Sequence, residues 1–453
     1  MLDVGKSNVK LLVVGKDGVI HDEAKLENES QPGPPYQHLN TQRIWRWLRD
    51  AMPPLARRYV IDAIVPTTHG ATAAWVDKND LVMPVLDYEQ AIPQSVVESF
   101  DEICPDFSET FTPKLPVGMN LGSQIFWLQR DFKKELVRTE HILAYPQYLS
   151  WMLTGVAASE PTSIGCHTHL WNVSQRRFST LVEAMDWQRL FPPMRHAYDR
   201  LGPVQPALAA EYGLESSCQV HAGIHDSNGN YALYLRHHPR PFSLVSTGTW
   251  MVLFSPRLPL DRLDKDRDTM AMVNVVGEPL PTARFMGGRE YDMLIDGVDR
   301  DTPVSEDDIM WVIHNDSFVL PSFTPGGPYL HCKGGFAGPQ PGEPGQVVAR
   351  ALLYIAIMTA TSAKMLEMDG DLIIDGGFAN NPWFCRLLAG LSDCERCYVN
   401  HDSQGTALGA ASLAVWDQRD VTWSLQLNAV EPFRPEPLDK HVRQWRNMTD
   451  RKN

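Results

Sequence analysis

The sequence predicts an α/β protein built from two related halves. Short β-rich runs alternate with amphipathic helical patterns along all 453 residues, which is typical of α/β folds. A strand pattern, a loop of glycine and hydroxyl residues and a second strand pattern occur at residues 3–14 and again at 242–254. This repeated opening indicates two halves of one architecture, and the length allows two or more domains.

The opening strands are read from their apolar runs. Val9 to Val14 form a β-rich run, and a Gly-Lys-Asp-Gly turn follows at 15–18, which is a hairpin signal. Only Met1 and Leu2 stand before Asp3, so we predict a shortened first strand, because strands usually need about five residues. Further strands are predicted at residues 59–65, 73–76, 81–86, 242–245 and 372–374, with a turn at 66–71.

Helices are predicted where apolar residues recur at helical spacing, as Ile44, Leu48 and Ala51 do. They are expected at residues 41–51, 123–133, 145–153, 181–184, 206–212, 347–368, 382–391 and 406–416. The polar, proline-bearing stretch at 236–241 is the predicted boundary between an N-terminal domain, 1–238, and a C-terminal domain, 239–453.

The composition excludes several classes of protein. Hydrophobic residues make up 43% and charged residues 21% of the chain, which argues against disorder. The net charge of −14 argues against nucleic acid and anionic membranes as partners. We find no continuous apolar stretch of membrane-spanning length and no signal segment. The seven irregularly spaced cysteines are typical of reduced thiols. The chain is therefore expected to be cytoplasmic.

The first loop, residues 3–10, fits neither a Walker loop nor a dinucleotide fingerprint. It is a tight turn in which Gly5 permits close approach of a ligand, and Ser7, Lys10 and backbone N–H groups could face phosphate oxygens. Asp3 could hold Mg²⁺ through water. A polar hairpin without function is the alternative.

Two later turns have similar chemistry. Residues 246–249 combine hydroxyl groups with Gly248, and no acidic residue stands among them. Residues 373–381 form a strand that ends in Gly376-Gly377, where a flat nucleobase could approach the backbone closely. Two hydroxyl-glycine loops at equivalent places in two halves favour binding of a nucleotide polyphosphate.

Asp226 is the candidate general base. It lies in the turn 221–229, between the two loops, where a carboxylate at a strand-to-helix turn could accept a proton from a hydroxyl group. A helix N-cap is the alternative role for Asp226. His69 and Gly70 follow a predicted strand and could contact a polyol. His167 and His169 would face one side of a strand, but no third metal ligand is evident.

Taken together and in chain order, these motifs resemble those of the FGGY family of carbohydrate kinases. The resemblance spans nearly the whole chain. The matching stretches are Asp3-x-Gly5-x-Ser7-x-Val9-Lys10, Leu149-x-x-x-Leu153-Thr154-Gly155 with residues 160–163 and 170–172, Gly223-x-His225-Asp226, Ser246-x-Gly248-Thr249-Trp250, Gly376-Gly377 with Asn380, and residues 405–411.

The resemblance implies two actin-like (ribonuclease H-like) ATPase domains with an inter-domain cleft, using ATP and Mg²⁺ to phosphorylate a sugar hydroxyl. The N-terminal domain would bind the sugar and the C-terminal domain ATP. Asp226 would be the catalytic base, with His69, Gly70 and His225 beside the sugar, and Asp3 would hold Mg²⁺ through water. The phosphate and nucleotide positions would be Gly5, Lys6, Ser7, Lys10, Thr247, Gly248, Thr249, Gly376, Gly377 and Asn380.

Within the family, the His225-Asp226 pair, the loop at 247–250 and the modest length look most like kinases of L-fuculose or L-rhamnulose. Xylulose or ribulose kinases are the alternative, followed by an actin-like ATPase without sugar chemistry and a silent sugar sensor. A small-molecule sugar is the expected partner, with a homodimer as the possible assembly. The chain departs from the family at Lys6, Gln124, Phe378 and Arg386, which leaves the phosphate and nucleobase contacts open.

Overall fold

The chain packs as two compact units. The computed structural model describes residues 1–402, 404–418 and 420–449. Unit 1 comprises Met1–His237, Ala271–Pro279 and Gly405–Ser424, and unit 2 comprises His238–Met270, Leu280–Gln404 and Leu425–Asn453. The first segment of unit 1 ends at His237, next to the boundary expected from the sequence. Two segments beyond that boundary nevertheless pack into unit 1, because long-range contacts and not chain order decide their place.

Unit 1 is an α/β unit. Its strands are β1 (Leu2–Val4), β2 (Asn8–Val14), β3 (Ile20–Glu27), β4 (Ser30–Gln31), β5 (His38–Leu39), β6 (Ala63–Ile64), β7 (Pro66–Thr68), β8 (Ala73–Val76), β9 (His141–Ala144), β10 (Trp171–Asn172), β11 (Arg177–Phe178), β12 (Arg200–Pro203), β13 (Gln219–His221) and β14 (Ile224–His225). Its helices are α1 (Thr41–Arg58), α2 (Gln94–Asp101), α3 (Phe107–Thr110), α4 (Leu121–Asp131), α5 (Lys133–Arg138), α6 (Tyr145–Thr154), α7 (Pro161–Ile164), α8 (Thr180–Ala184), α9 (Pro206–Tyr212), α10 (Asp226–His237) and, from the later segment, α15 (Gly405–Ser412).

Unit 2 is also α/β. Its strands are β15 (Phe242–Thr247), β16 (Met251–Phe254), β17 (Thr269–Val273), β18 (Pro279–Phe285), β19 (Phe318–Leu320), β20 (Gly335–Ala337), β21 (Asp371–Gly376), β22 (Arg396–Asn400) and β23 (Leu427–Ala429). Strands β17 and β18 straddle the boundary of the units. Its helices are α11 (Gly287–Leu294), α12 (Glu306–His314), α13 (Pro344–Met365), α14 (Pro382–Leu391) and α16 (Glu436–Thr449).

The main sheets of the two units share one topology. In unit 1 the order is β3-β2-β1-β7-β14, with β1, β2 and β3 antiparallel and β7 and β14 parallel to β1. In unit 2 the order β18-β16-β15-β21-β22 repeats the same directions, and β17 and β23 extend the two edges. The predicted repetition of the opening motif is confirmed, since β1–β2 and β15–β16 take equivalent places.

Packing within unit 1 places two helices backbone to backbone. A Cβ atom added to Gly409 in α15 would lie 1.8 Å from the carbonyl oxygen of Gly229 in α10. Only glycine permits this approach. The contact holds α15 against α10, the helix that begins at Asp226, so a segment remote in the chain supports the candidate base.

Some predicted elements differ from the structure. Residues 81–86 form only isolated bridges, at Leu81 and Leu86, because Pro84 cannot donate to a strand ladder. The predicted strand 59–65 is reduced to β6, and α1, which was predicted to end at residue 51, continues to Arg58. The predicted turn 66–71 begins as β7, which pairs with β1 and β14. The short first strand is confirmed.

Unit 1 contains a cavity of about 410 Å³ beyond the Met1 end of β1, away from the 3–10 turn. The end of β2 and residues 60–65 line much of it, and none of the candidate site residues does.

In unit 2, α13 is the one described helix with the length and hydropathy to cross a membrane. Because 89% of its most apolar window is buried inside the protein, α13 packs as a core helix.

Candidate active site

Three parallel strands of unit 1 end at the same edge of the sheet. β1 pairs with β7, and β14 pairs with the other side of β7. The carboxyl ends of neighbouring parallel strands bring the following residues together, which is where ligands bind in such sheets. The turn after Val4, the His69-Gly70 pair and Asp226 therefore converge, although they come from three distant parts of the sequence.

Asp226 is held through one of its two oxygen atoms. Its Oδ1 accepts from the Ser227 N–H at 2.6 Å and the Ser227 hydroxyl at 3.3 Å, and lies 3.1 Å from Nε2 of His225. Its Oδ2 has no hydrogen bond to the part of the chain that the structure describes. The Asp226 side chain is 32% exposed, so a ligand can reach this carboxylate.

His225 supports Asp226 from a buried position. The Asn228 amide donates to the Nδ1 atom of His225 at 3.1 Å, so Nε2 carries the ring proton. This Nε2 atom lies 3.1 Å from Oδ1 of Asp226 and 3.5 Å from the Cys166 sulfur. Burial lowers the pKa of His225, which keeps the imidazole neutral, although the neighbouring Asp226 opposes this shift. His225 therefore orients the carboxylate of Asp226.

A buried carboxylate, Glu160, fixes the backbone beside this pair. It accepts from the N–H groups of Thr162 and Ser163 at 2.9 Å each and from both hydroxyl groups. Thr162 in turn accepts from the His225 N–H at 3.2 Å. Burial raises the pKa of Glu160 to about 7, against the effect of those hydrogen bonds. The segment 160–163, matched to the family only by resemblance, thus positions the candidate base.

Asp3 lies close enough to Asp226 for the two carboxylates to repel each other. Burial and, to a smaller extent, the neighbouring Asp226 raise the pKa of Asp3 to about 7, although Lys10 opposes both effects. A pair of repelling, partly desolvated carboxylates is relieved by a cation. The residues therefore fit a divalent metal ion at Asp3. No group of three His, Cys, Asp or Glu side chains forms a metal site in the described part of the chain.

The turn between β1 and β2 is closed by its backbone. The Gly5 N–H donates to the Asn8 carbonyl at 2.9 Å, and the Asn28 amide donates to the Gly5 carbonyl at 2.8 Å. Ser7 is exposed and Lys10 half-buried. Lys6, which the sequence assigns to phosphate, instead pairs with the buried Asp87, so its role in phosphate binding stays a prediction without a supporting contact.

His69 and Gly70 follow β7 directly. The Nδ1 atom of His69 lies 3.1 Å from the Gly70 carbonyl, and its Nε2 is buried without a partner among the described residues. The next residue, Ala71, has a left-handed φ of 52°, and the amide of Gln124 donates to its carbonyl at 2.6 Å. Gln124 thus fixes the turn. The sequence shows Gln124 only as a departure from the family, so this role was missed.

The second hydroxyl-glycine loop, in unit 2, is a tight turn. The Gly248 N–H donates to the Trp250 carbonyl at 2.9 Å, and Thr249 is exposed. Thr247 is buried, and its hydroxyl donates to the Asp375 carbonyl and accepts from the Phe378 N–H. The Thr247 hydroxyl therefore joins this loop to the turn after β21. Gly248 and Thr249 remain open to a ligand.

The Gly376-Gly377 turn lies beside that loop because β15 and β21 are parallel neighbours. Gly376 has a φ of 91°, and a Cβ atom there would lie 2.0 Å from the Thr247 carbonyl oxygen. Gly377 is exposed, and a Cβ atom added to it would have no atom of the other described residues within 4 Å, its two chain neighbours aside. Asn380 is exposed and contacts His401 at 3.2 Å. Gly376 shapes the turn, and Gly377 leaves its surface clear.

Two family departures in unit 2 lie away from this clear surface. Phe378 is buried against Tyr291 and Phe384, with ring centroids 5.2 and 5.1 Å away. Arg386 stacks on Trp383 and Phe433 at 4.8 and 5.3 Å. Both side chains are engaged in packing, so neither blocks the surface beside Gly377.

Sequence reasoning missed the start of α11. A Cβ atom at Gly288 would lie 2.1 Å from the Gly248 carbonyl oxygen, so the N-terminus of α11 packs directly against the loop. Backbone N–H groups at a helix N-terminus favour anions. The signal was the Gly287-Gly288 pair after β18.

His167 and His169 do not share a strand. Both have left-handed φ values, 43° and 63°, and their rings contact the backbone carbonyls of Met119 and Thr112. Burial lowers the pKa of His169 to about 4. Their spacing by two in the sequence therefore reflects two turns and not a metal-binding face.

Comparison with known proteins places these features in a family. The chain matches the N-terminal domain of the FGGY family of carbohydrate kinases at residues 1–230 and the FGGY carbohydrate kinase C-terminal domain at residues 239–422. These matches cover most of the chain, and the chain belongs to the FGGY family of carbohydrate kinases. The predicted resemblance and the pair of actin-like α/β domains are confirmed.

Individual relatives extend the comparison. A carbohydrate kinase from Novosphingobium aromaticivorans is 31% identical in sequence, with a TM-score of 0.89 over 99% of this chain and 98% of that one. A ligand-bound xylulose kinase from Lactobacillus acidophilus is 13% identical, with a TM-score of 0.83 over 99% and 97%. L-fuculokinase of Escherichia coli K12 is 24% identical over 271 residues, 56% of this chain and 55% of that protein. The chain thus matches about half the length of L-fuculokinase.

Proposed function

We propose that this protein is an ATP-dependent ketose kinase that transfers the γ-phosphoryl group of ATP to a sugar hydroxyl. The observation that carries the proposal is the geometry of Asp226. One carboxylate oxygen accepts hydrogen bonds from Ser227 and lies 3.1 Å from the His225 ring, and the other is unengaged in the described structure. A carboxylate oriented in this way can accept the proton of an attacking hydroxyl.

The chain's own residues divide the work between the two units. In unit 1, Asp226 accepts the hydroxyl proton, His225 keeps its carboxylate oriented, and His69 contacts the sugar. In unit 2, the turns at Gly248 and Gly377 and the start of α11 offer backbone N–H groups and an open surface to ATP. Catalysis comes mainly from positioning and charge neutralisation, since phosphoryl transfer has a loose transition state.

Asp3, supported by Asp226, would hold Mg²⁺ through water. When bound, Mg²⁺ neutralises charge on the phosphate oxygens. Burial and the repulsion by Asp226 together raise the pKa of Asp3, and a cation at this place would relieve both effects.

For the sugar, we propose L-fuculose or L-rhamnulose, with xylulose or ribulose as the second candidate. The motif around His225 and the partial sequence match to L-fuculokinase support the first choice. Xylulose kinase shares the fold at only 13% identity, which supports no particular sugar. A cytoplasmic location and a homodimer remain predictions.

The test is a coupled ADP-release assay with a panel of ketoses. We expect ADP release to require sugar, with kcat/KM for L-fuculose or L-rhamnulose at least tenfold above that for xylulose and ribulose. A preference for a pentulose would replace the first choice with the second. ADP release independent of every sugar would contradict kinase function, and sugar binding without turnover would indicate a sensor.

A further inference from the structure

The Lys6 ammonium is fully engaged on the side of the turn that faces segment 87–89. It pairs with both carboxylate oxygens of Asp87, lies 3.4 Å from the Glu89 carboxylate and 3.3 Å from the Ser30 hydroxyl. The Asp87 side chain is fully buried, whereas that of Lys6 is 24% exposed. A buried carboxylate needs such a partner, so this ion pair fixes the segment to the turn.

Asp87 has further donors that make its position rigid. It accepts from the Gln37 amide at 2.8 Å and from the Glu89 N–H at 2.9 Å. Burial opposes ionisation, but hydrogen bonds from Lys6 and its neighbours hold the pKa of Asp87 below its ordinary value. Asp87 therefore stays a carboxylate and keeps Lys6 away from the opposite side of the turn.

Tyr88 connects this ion pair to the candidate sugar site. The Lys6 Nζ atom lies 5.0 Å from the centre of the Tyr88 ring, and the His69 ring lies 5.2 Å from it, edge to face. The segment that Lys6 holds thus presents an aromatic wall beside His69.

His69 shows which ligand chemistry fits there. Its Nδ1 faces a backbone carbonyl, which can only accept, so Nδ1 carries the proton and Nε2 is a bare acceptor. His69 is only 7% exposed, and its Nε2 atom is buried without a hydrogen-bond partner among the described residues. A sugar hydroxyl can donate to this nitrogen.

We propose that Lys6 is a positioning residue for sugar recognition: with Asp87 it clamps Tyr88 against His69, so that the Tyr88 ring holds the imidazole in place and a sugar hydroxyl binds at its Nε2 atom. This inference rests on the proposed kinase function. It reassigns Lys6 from the phosphates, where its place in the sequence puts it, to the sugar.

The experiment is a double-mutant cycle with Lys6→Met, Asp87→Asn and the double variant, in which KM is measured separately for sugar and ATP. We expect each single variant to raise the sugar KM at least tenfold, with the ATP KM within twofold. The double variant should be no worse than either single variant, because both remove one ion pair. Lys78→Met, which changes an exposed lysine in the turn after β8, is the matched control and should change neither KM.

A rise in the ATP KM of Lys6→Met without a change for sugar would overturn the proposal and return Lys6 to the phosphates. Additive effects of the two substitutions would also overturn it. If Lys6→Met fails to fold, Tyr88→Leu leaves the ion pair intact and should still raise the sugar KM; an unchanged value would refute the role of the wall. Wild-type protein that phosphorylates no sugar would refute the kinase function instead, and direct calorimetric titration with ketoses would then test the clamp through binding alone.

Discussion

Asp226 shows how neighbouring atoms can prepare one carboxylate for proton transfer. Three contacts to Oδ1, from Ser227 and the neutral His225, leave Oδ2 without a hydrogen bond among the described residues, as the proposed base requires. His225 keeps this orientation because Asn228 fixes its tautomer and Thr162 fixes its backbone. The sequence places a carboxylate in a turn, but it does not show which oxygen is held.

At this scale we predict that Asp226→Asn lowers kcat at least a hundredfold. The amide keeps the size of the side chain and loses the ability to take up the proton, and general bases contribute about 10² to 10⁴-fold. Steady-state kinetics with the preferred sugar checks this, with the exposed Asp50→Asn on α1 as control. Retention of activity within about tenfold, a loss of only ~1.4 kcal/mol, would contradict the base assignment.

At the scale of elements, the turns that follow parallel strands carry the candidate site residues of each unit. The adjacent glycines Gly376 and Gly377 have different structural roles. Gly376 adopts a left-handed φ and approaches the Thr247 carbonyl more closely than any Cβ atom permits, whereas Gly377 faces open space. Adjacent glycines that look equivalent in the sequence are thus separated into a structural and an accessible position.

We therefore predict opposite outcomes for two alanine substitutions in one turn. Gly376→Ala should reduce the free energy of unfolding by roughly 2–4 kcal/mol, because strain and a backbone clash add. Gly377→Ala should leave stability within about 0.5 kcal/mol and raise the ATP KM several-fold, because its methyl group covers the proposed nucleotide surface. Urea denaturation and ATP kinetics distinguish the two; an unchanged ATP KM for Gly377→Ala would contradict nucleotide binding at this surface.

At the scale of the whole chain, buried titratable groups act in opposite directions on stability. Burial lowers the pKa of His169, His237 and His441 to about 4, so their contributions are lost as the pH falls from about 6.5 towards 4. Burial raises the pKa of Asp3 and Glu160 to about 7, so their contributions are lost as the pH rises towards 7. The dependence of the unfolding free energy on pH is the sum of these contributions. Comparing the wild type with a variant that lacks one titratable group isolates the contribution of that group.

His441 in α16 gives a direct test. Its ring stacks on Phe318 with centroids 4.3 Å apart, so His441→Phe keeps the packing and removes the titration. We expect the loss of unfolding free energy between pH 7 and pH 5 to be smaller in this variant by about 2 kcal/mol. Urea titrations at both pH values measure it, with the exposed His314→Asn as control. An identical loss in variant and wild type would show that His441 titrates normally when folded.

The sequence by itself determined the α/β class, the repeated opening of the two halves, most of the helices and the family. These features are local patterns, such as the apolar spacing in α1 or the glycine and hydroxyl residues after β15, and their order along the chain. That Asp3, His69 and Asp226 lie near one another was expected only from the fold that the family resemblance implies. No sequence pattern predicted the hydrogen bonds and contacts that these side chains make.

Only the tertiary structure decided which groups meet across the chain. Lys6 lies in the loop that the sequence predicts to bind phosphate, but its ion-pair partner Asp87 stands 81 positions away, and no local pattern predicts that contact. Gly229 and Gly409 likewise meet only because α15 returns to unit 1. Local spacing predicts elements because it reflects backbone geometry, whereas long-range pairing depends on burial and charge balance that the folded chain alone defines.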